Sequence, residues 1–224
     1  MKRLFANGCS FTSGDELSNL SERWSDRLPE YLDDTRSVTN FSKQGACNER
    51  IVLTTLRHFE SLKLANVDLS DYIAVIQFSD PNRLGVLLEN THLTVSYGFV
   101  ELCKKHTQYE KYEKTIFDYY KQRTDLQNWN QLYTDVISLS SYFVANDIQY
   151  CFLSLNTVEK DLDVLDKEQI DAINNCNWVY GTMWNSAMYN LDTHVSISDD
   201  NWHPMPESHK IVAQRVSEFI NNGR

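Results

Sequence analysis

The chain has 224 residues, of which 42% are hydrophobic and 23% charged. That composition fits one globular domain and is too apolar for a disordered chain. Its formal net charge of −10 opposes binding to nucleic acid or an anionic membrane surface, and no apolar run is long enough to span a bilayer.

Leu4-Phe5-Ala6 reads as a short buried strand that runs into the turn-rich segment Asn7 to Gly14. Trp24, Leu28, Tyr31 and Leu32 have helical spacing within 21–32, with Pro29 as a blemish. Residues 37–41 alternate like a strand. Gly45 breaks the chain before a helix whose apolar face carries Ile51, Val52, Leu56 and Phe59. Residues 71–78 form the strongest strand signal, a nearly unbroken apolar run of the kind found in a central strand. Residues 82–147 are expected to be a mostly helical insertion and a surface for self-association. Its helical stripes are Phe99, Leu102 and Cys103, then Tyr112, Ile116 and Tyr119, then Trp129, Leu132, Val136, Leu139 and Phe143. A further central strand is expected over 148–155 and a short one over 195–197. A closing helix is expected over 206–221. Strands alternating with helices predict a single α/β domain over 1–224, with a mainly parallel sheet.

Five cysteines at wide spacings, with no C-x-x-C pair, point to free thiols in a reducing compartment. The N-terminus has Lys2 and Arg3 but no apolar stretch long enough for a secretory signal. A cytoplasmic protein is therefore expected.

Ligands of open α/β sheets bind at the carboxyl ends of the strands. There the sequence places Ser10 after the first strand, Gly45 and Asn48 after the second, Ser79 and Asn82 after the third, and Asp199, Asp200 and His203 in the last loop. A serine hydroxyl needs a base, and the base needs an orienting group. His203 is the natural base, and Asp200, three residues earlier, is placed to hold its Nδ1. Asp199 is the rival orienter. The N–H groups of Ser10 and Gly45, with Ser79 or Asn48, are candidate oxyanion donors.

Each residue also has a plainer reading. Ser10 suits a helix cap, although its flanking glycines and its place after a strand favour a nucleophile. Cys9 is read as a small packed residue. His58, His92, His106, His194 and His209 are read as surface or loop residues, and most of the tryptophans as core. Trp202, inside the last loop, is the best candidate for a substrate wall, with Asn82 as a second substrate contact. Asp192, His194 and Asp199 lack metal-site spacing. The segment Gly8–Gly14 lacks the glycine patterns of nucleotide loops.

Gly8-Cys9-Ser10-Phe11-Thr12-Ser13-Gly14, Asn40 to Asn48 with Gly45, and Asp200-Asn201-Trp202-His203-Pro204 stand in the order of the blocks of the SGNH (GDSL-like) hydrolases. The chain resembles that superfamily. The resemblance implies a three-layer α/β/α fold with a parallel flavodoxin-like sheet, Ser10, Asp200 and His203 as a catalytic triad, Gly45 in the oxyanion hole, and no metal or organic cofactor. The third block departs from the family pattern: Ser79, in Gln77-Phe78-Ser79, stands where the family usually has asparagine. The expected activity is removal of a short, acetyl-like acyl group from a carbohydrate or other polar alcohol. The alternative is a catalytically degenerate scaffold, acting as a glycan-binding module or a structural or assembly component of a phage or bacterium.

Overall fold

Strand β1 (Lys2–Asn7) lies inside a four-stranded parallel sheet, between β2 (Thr35–Asn40) and β3 (Tyr72–Phe78), with β6 (Gln149–Ser154) beyond β3. The computed structural model describes residues 2–33, 35–88, 91–95, 110–155, 164–183, 185–188 and 203–222. Asp192, His194, the strand expected over 195–197, Asp199, Asp200 and Trp202 lie outside the described residues. So do the 99–103 stripe, His106 and Trp184.

The unbroken apolar run is why β3 is central, since all seven of its residues are buried. The chain leaves β1 outward to β2 and then crosses back to β3 on the other side. The strand order therefore reverses between β1 and β3, the kind of switch point at whose carboxyl ends ligands of open α/β sheets bind. The register, with Asn7 opposite Ile76, brings those two ends level.

Right-handed crossovers assign the helices to layers. On one side, α3 (Asn48–Leu64), which connects β2 to β3, packs against α5 (Asp125–Ala145), which precedes β6 and also meets α6 (Lys167–Asn174). On the other, α2 (Trp24–Arg27) packs against the closing helix α7 (Pro206–Asn222). The core between these layers includes Phe5, Trp24, Ile51, Phe59, Ile76, Phe143, Phe152 and Trp178. Residues 177–179 and 186–188 run along the outer edge of β6, where Phe152 donates to Asn177 O at 2.8 Å and Met188 donates to Ser154 O at 2.9 Å. No helix among the described residues is long and apolar enough to cross a membrane.

Two expectations are corrected. The helix expected over 21–32 is broken into 3-10 turns at Leu20–Glu22 and Leu28–Tyr31 around the four-residue α2. Pro29, which has no N–H to donate and fixes φ, explains the break. The range 82–147 is helical over most of its described residues but opens with an unexpected antiparallel hairpin, β4 (Leu84–Leu88) and β5 (Thr91–Val95). Leu84 and Val95 form a small second core with Ile116 of α4 (Glu110–Gln122). Within the same range, α5 belongs to the main core, to which it contributes Trp129, Leu132, Val136, Leu139 and Phe143.

Candidate active site

Ser10 is the first residue of the short helix α1 (Ser10–Ser13), directly after β1. Cys9, not Ser10, is its N-cap, so the capping role does not account for the serine. The Ser10 side chain is buried, 4% exposed, and its Oγ makes one hydrogen bond, to Cys9 Sγ at 4.0 Å. No hydrogen bond joins it to His203. Its own backbone N–H has no partner among the described residues.

The turn that carries Ser10 is held by a buried polar residue inside β3. Gln77 Oε1 accepts from Cys9 N at 3.2 Å, Cys9 Sγ at 3.2 Å and Thr12 Oγ1 at 3.1 Å, while Gln77 Nε2 donates to Phe78 O at 2.7 Å. The turn passes so close that a Cβ on Gly8 would stand 2.5 Å from Thr12 Oγ1 and 2.8 Å from Gln77 Oε1. Asn7, fully buried, ties the end of β1 to α3 by donating to Ile51 O, Thr54 Oγ1 and Thr55 Oγ1. From β2, Asn40 Nδ2 donates to Thr12 O at 3.1 Å.

The loop after β2 closes over the same edge. Lys43 N donates to Gly8 O at 3.2 Å. Gly45 has φ +67°, a left-handed conformation that favours glycine. Its N–H has no partner among the described residues, and the space beside its Cα is open. Two residues on, Cys47 is buried, which pushes its thiol up to about 12 and leaves it un-ionised. Asn48 clamps the third loop: its Oδ1 accepts from Ser79 N at 2.7 Å and its Nδ2 donates to Ser79 O at 3.1 Å. Ser79 is 3% exposed, and its Oγ accepts from Arg83 NH1 at 3.0 Å. Asn82 is turned toward α5, where its Oδ1 accepts from Asn128 Nδ2 at 2.9 Å.

His203 arrives from the far end of the chain. Its ring meets Phe11, the residue after Ser10, with centroids 5.6 Å apart. The Glu16 carboxylate stands 3.2 Å from its Nδ1. Glu16 itself has φ +69°, uncommon for a residue with a side chain. The helix that follows is anchored six residues on by His209, whose Nδ1 accepts from Trp24 N at 3.1 Å. The structure thus brings Ser10, Gly45, Asn48, Ser79 and His203 to one sheet edge, whereas Asp200 and Trp202 fall outside the described residues.

No protein-family model and no curated protein matches the chain. Solved structures do match. One is a member of the lipolytic protein G-D-S-L family from Veillonella parvula DSM 2008, 11% identical over 100% of both chains, with a TM-score of 0.56. Another is TesA, 16% identical over 99% of both chains, at 0.53. A third is the psychrotrophic esterase EstA from Pseudoalteromonas sp., 10% identical over 99% of this chain and 98% of that one, at 0.55. The chain has the fold of the SGNH (GDSL) hydrolases.

Within this SGNH fold, sequence reasoning overlooked Gln77, Arg83 and Glu16. Gln77 had a signal, as the polar residue near the end of an otherwise apolar strand. Arg83 and Glu16 had none, because each becomes notable only through a partner distant in the chain or in a loop. Two histidine readings are corrected. His209 is fully buried in α7, where desolvation, reinforced by Arg27, pulls it down to about 4. His58 is half-buried and stacks on Phe5 with centroids 4.8 Å apart, and burial lowers its pKa. Trp129 and Trp178 are core residues, as expected, and the described cysteines, Cys9, Cys47, Cys151 and Cys176, are buried free thiols.

Proposed function

We propose that this chain is a serine ester hydrolase. The observation that carries the reading is the convergence of Ser10, buried at the end of β1 with an unspent N–H, and His203, whose ring rests on Phe11 beside it. In this mechanism the Ser10 hydroxyl exchanges its Cys9 contact for His203. His203 Nε2 takes the proton as Ser10 Oγ bonds to the acyl carbon. Catalytic hydrogen bonds are often loose before substrate binds. The carbonyl oxygen becomes an oxyanion held by the N–H groups of Ser10 and Gly45 and by the Ser79 hydroxyl. Collapse breaks the ester C–O bond, and His203 returns the proton to the leaving alcohol. Water, deprotonated by His203, then releases the acid and restores Ser10. Asp200, with Glu16 nearby, holds the imidazole in the required orientation.

The substrate class is a short acyl ester of a carbohydrate or other polar alcohol. Support comes from the polar residues that follow β2 in sequence, Ser42, Lys43 and Gln44, in the loop whose Lys43 N donates to Gly8 O beside Ser10. Trp202 serves as the wall for the alcohol.

The test is hydrolysis of 4-nitrophenyl acetate by the protein and by Ser10→Ala and His203→Ala, with labelling by a fluorophosphonate probe. Turnover and labelling that both variants lose while remaining folded support the hydrolase. Absence of both in the unmodified protein overturns it in favour of the non-catalytic scaffold.

A further inference from the structure

Arg83 is a half-buried arginine at the edge of this site. Its NH1 group donates to Ser79 Oγ at 3.0 Å and reaches Ala46 O, beside Gly45, at 3.5 Å. Its side chain therefore touches the loops after both β2 and β3. No carboxylate lies within ion-pair distance of it among the described residues. Asp80, nearest in the same loop, turns its Oδ1 to Asn82 N at 2.7 Å instead.

The chain has 31 acidic residues against 21 lysines and arginines, and Arg83 shares its lack of an ion pair among the described residues with Arg3, Arg50 and Arg57, but of these only Arg83 bonds the Ser79 hydroxyl. Arg23 is paired with Asp26, Arg27 with Glu22, and Arg123 with Glu49. A guanidinium has five N–H donors on two forked edges. With NH1 committed to Ser79 and Ala46, the edge formed by Nε and NH2 has no partner among the described residues. This edge is the fork that binds a carboxylate through two parallel hydrogen bonds. Its orientation is fixed in advance by NH1, which limits the entropy lost when an anion binds. The Asn48 clamp on the Ser79 backbone makes the support of NH1 rigid as well.

We propose that Arg83 is the substrate-recognition group of this site, and that the preferred esters carry a carboxylate close to the scissile bond. The proposal rests on the hydrolase reading and narrows its substrate class to acidic esters. The anionic group occupies the Nε/NH2 edge while the acyl carbon is presented to Ser10.

The experiment compares kcat/KM for three chromogenic esters. One is neutral, 4-nitrophenyl acetate. One bears a carboxylate on the acyl side, the mono-4-nitrophenyl ester of succinic acid. One bears it on the alcohol side, 4-acetoxy-3-nitrobenzoate. The expected result is a preference of about tenfold or more for at least one anionic ester over its neutral counterpart, with a KM that rises with ionic strength. Arg83→Gln should remove that preference, a loss of ~10–100-fold in the anionic-to-neutral ratio. Arg83→Lys should keep part of it, as a point charge without the fork. If Arg83→Gln does not fold, inhibition of fluorophosphonate labelling of the unmodified protein by free succinate, weakened in Arg83→Lys, decides the matter. Turnover of the neutral ester with no anionic preference, or a ratio unchanged in Arg83→Gln, overturns the inference and leaves the hydrolase standing. No turnover of any of the three and no labelling of Ser10 overturns both.

Discussion

The Glu16 carboxylate lies 3.2 Å from Nδ1 of His203, the ring nitrogen that faces away from the serine in the proposed mechanism. Glu16 reaches it from the loop after α1, so under the proposed mechanism the segment that presents the nucleophile would also set a carboxylate beside the base. A carboxylate at Nδ1 fixes the tautomer and stabilises the imidazolium formed during attack. Under the proposed mechanism Asp200 would be the principal orienter and Glu16 an auxiliary one.

Glu16→Gln should therefore lower kcat about tenfold with little change in KM, and Asp200→Asn should lower it by ~10²–10⁴. Steady-state kinetics on 4-nitrophenyl acetate measure both. A larger effect at Glu16 than at Asp200 would exchange the two roles.

Gln77→Leu should destabilise the fold by about 2–4 kcal/mol, because it strands the buried Cys9 N–H and Thr12 hydroxyl together. Urea denaturation reads the loss. The same variant should also lower kcat, since the turn that aims Ser10 is no longer held to β3. Unchanged stability would mean that the turn is anchored elsewhere.

Asp135 gives the clearest pH dependence. It is buried on α5, where its Oδ1 accepts from Gln131 and its Oδ2 has no hydrogen-bond partner. Desolvation raises it from 3.8 to about 7, against the Gln131 hydrogen bond and with Glu49 adding to the rise. The folded state thus holds a proton that the unfolded chain releases. The resulting loss of stability sets in as pH rises through the unfolded value near 4 and is complete above the folded value near 7. Asp135→Asn should remove that loss. It should be more stable than the unmodified protein by up to about 4 kcal/mol at pH 8, and nearly equal to it at pH 4. Thermal melts at the two pH values are the measurement, and a gap independent of pH would contradict the prediction.

The parallel sheet was legible because its strands are apolar runs bounded by turn residues, and β1, β2, β3, β6 and α7 fall close to where periodicity puts them. The hairpin was not, because Leu84, Leu87 and Leu88 also suit a helix face. Thr91, Thr94 and Val95 favour strand, but only pairing with β4 decides the matter. Of the candidate site, what short motifs made readable was the placement of Ser10, Gly45, Ser79 and His203 at the ends of the strands and in the last loop. Asn48 was foreseen as an oxyanion donor, yet both ends of its amide engage the Ser79 backbone, a pairing 31 residues apart that no local pattern announces. His209 looked like a surface residue because one polar side chain on an amphipathic helix usually faces water. Its acceptance of the Trp24 N–H lies beyond any local signal.

That last contact spans 185 residues of sequence and secures the helix directly after His203. During synthesis Ser10 emerges long before His203. Under the proposed mechanism, the serine has no proton acceptor in reach until α7 docks on α2. A partly folded chain would then be chemically silent toward esters, and the onset of turnover during refolding would report the docking of these two distant segments.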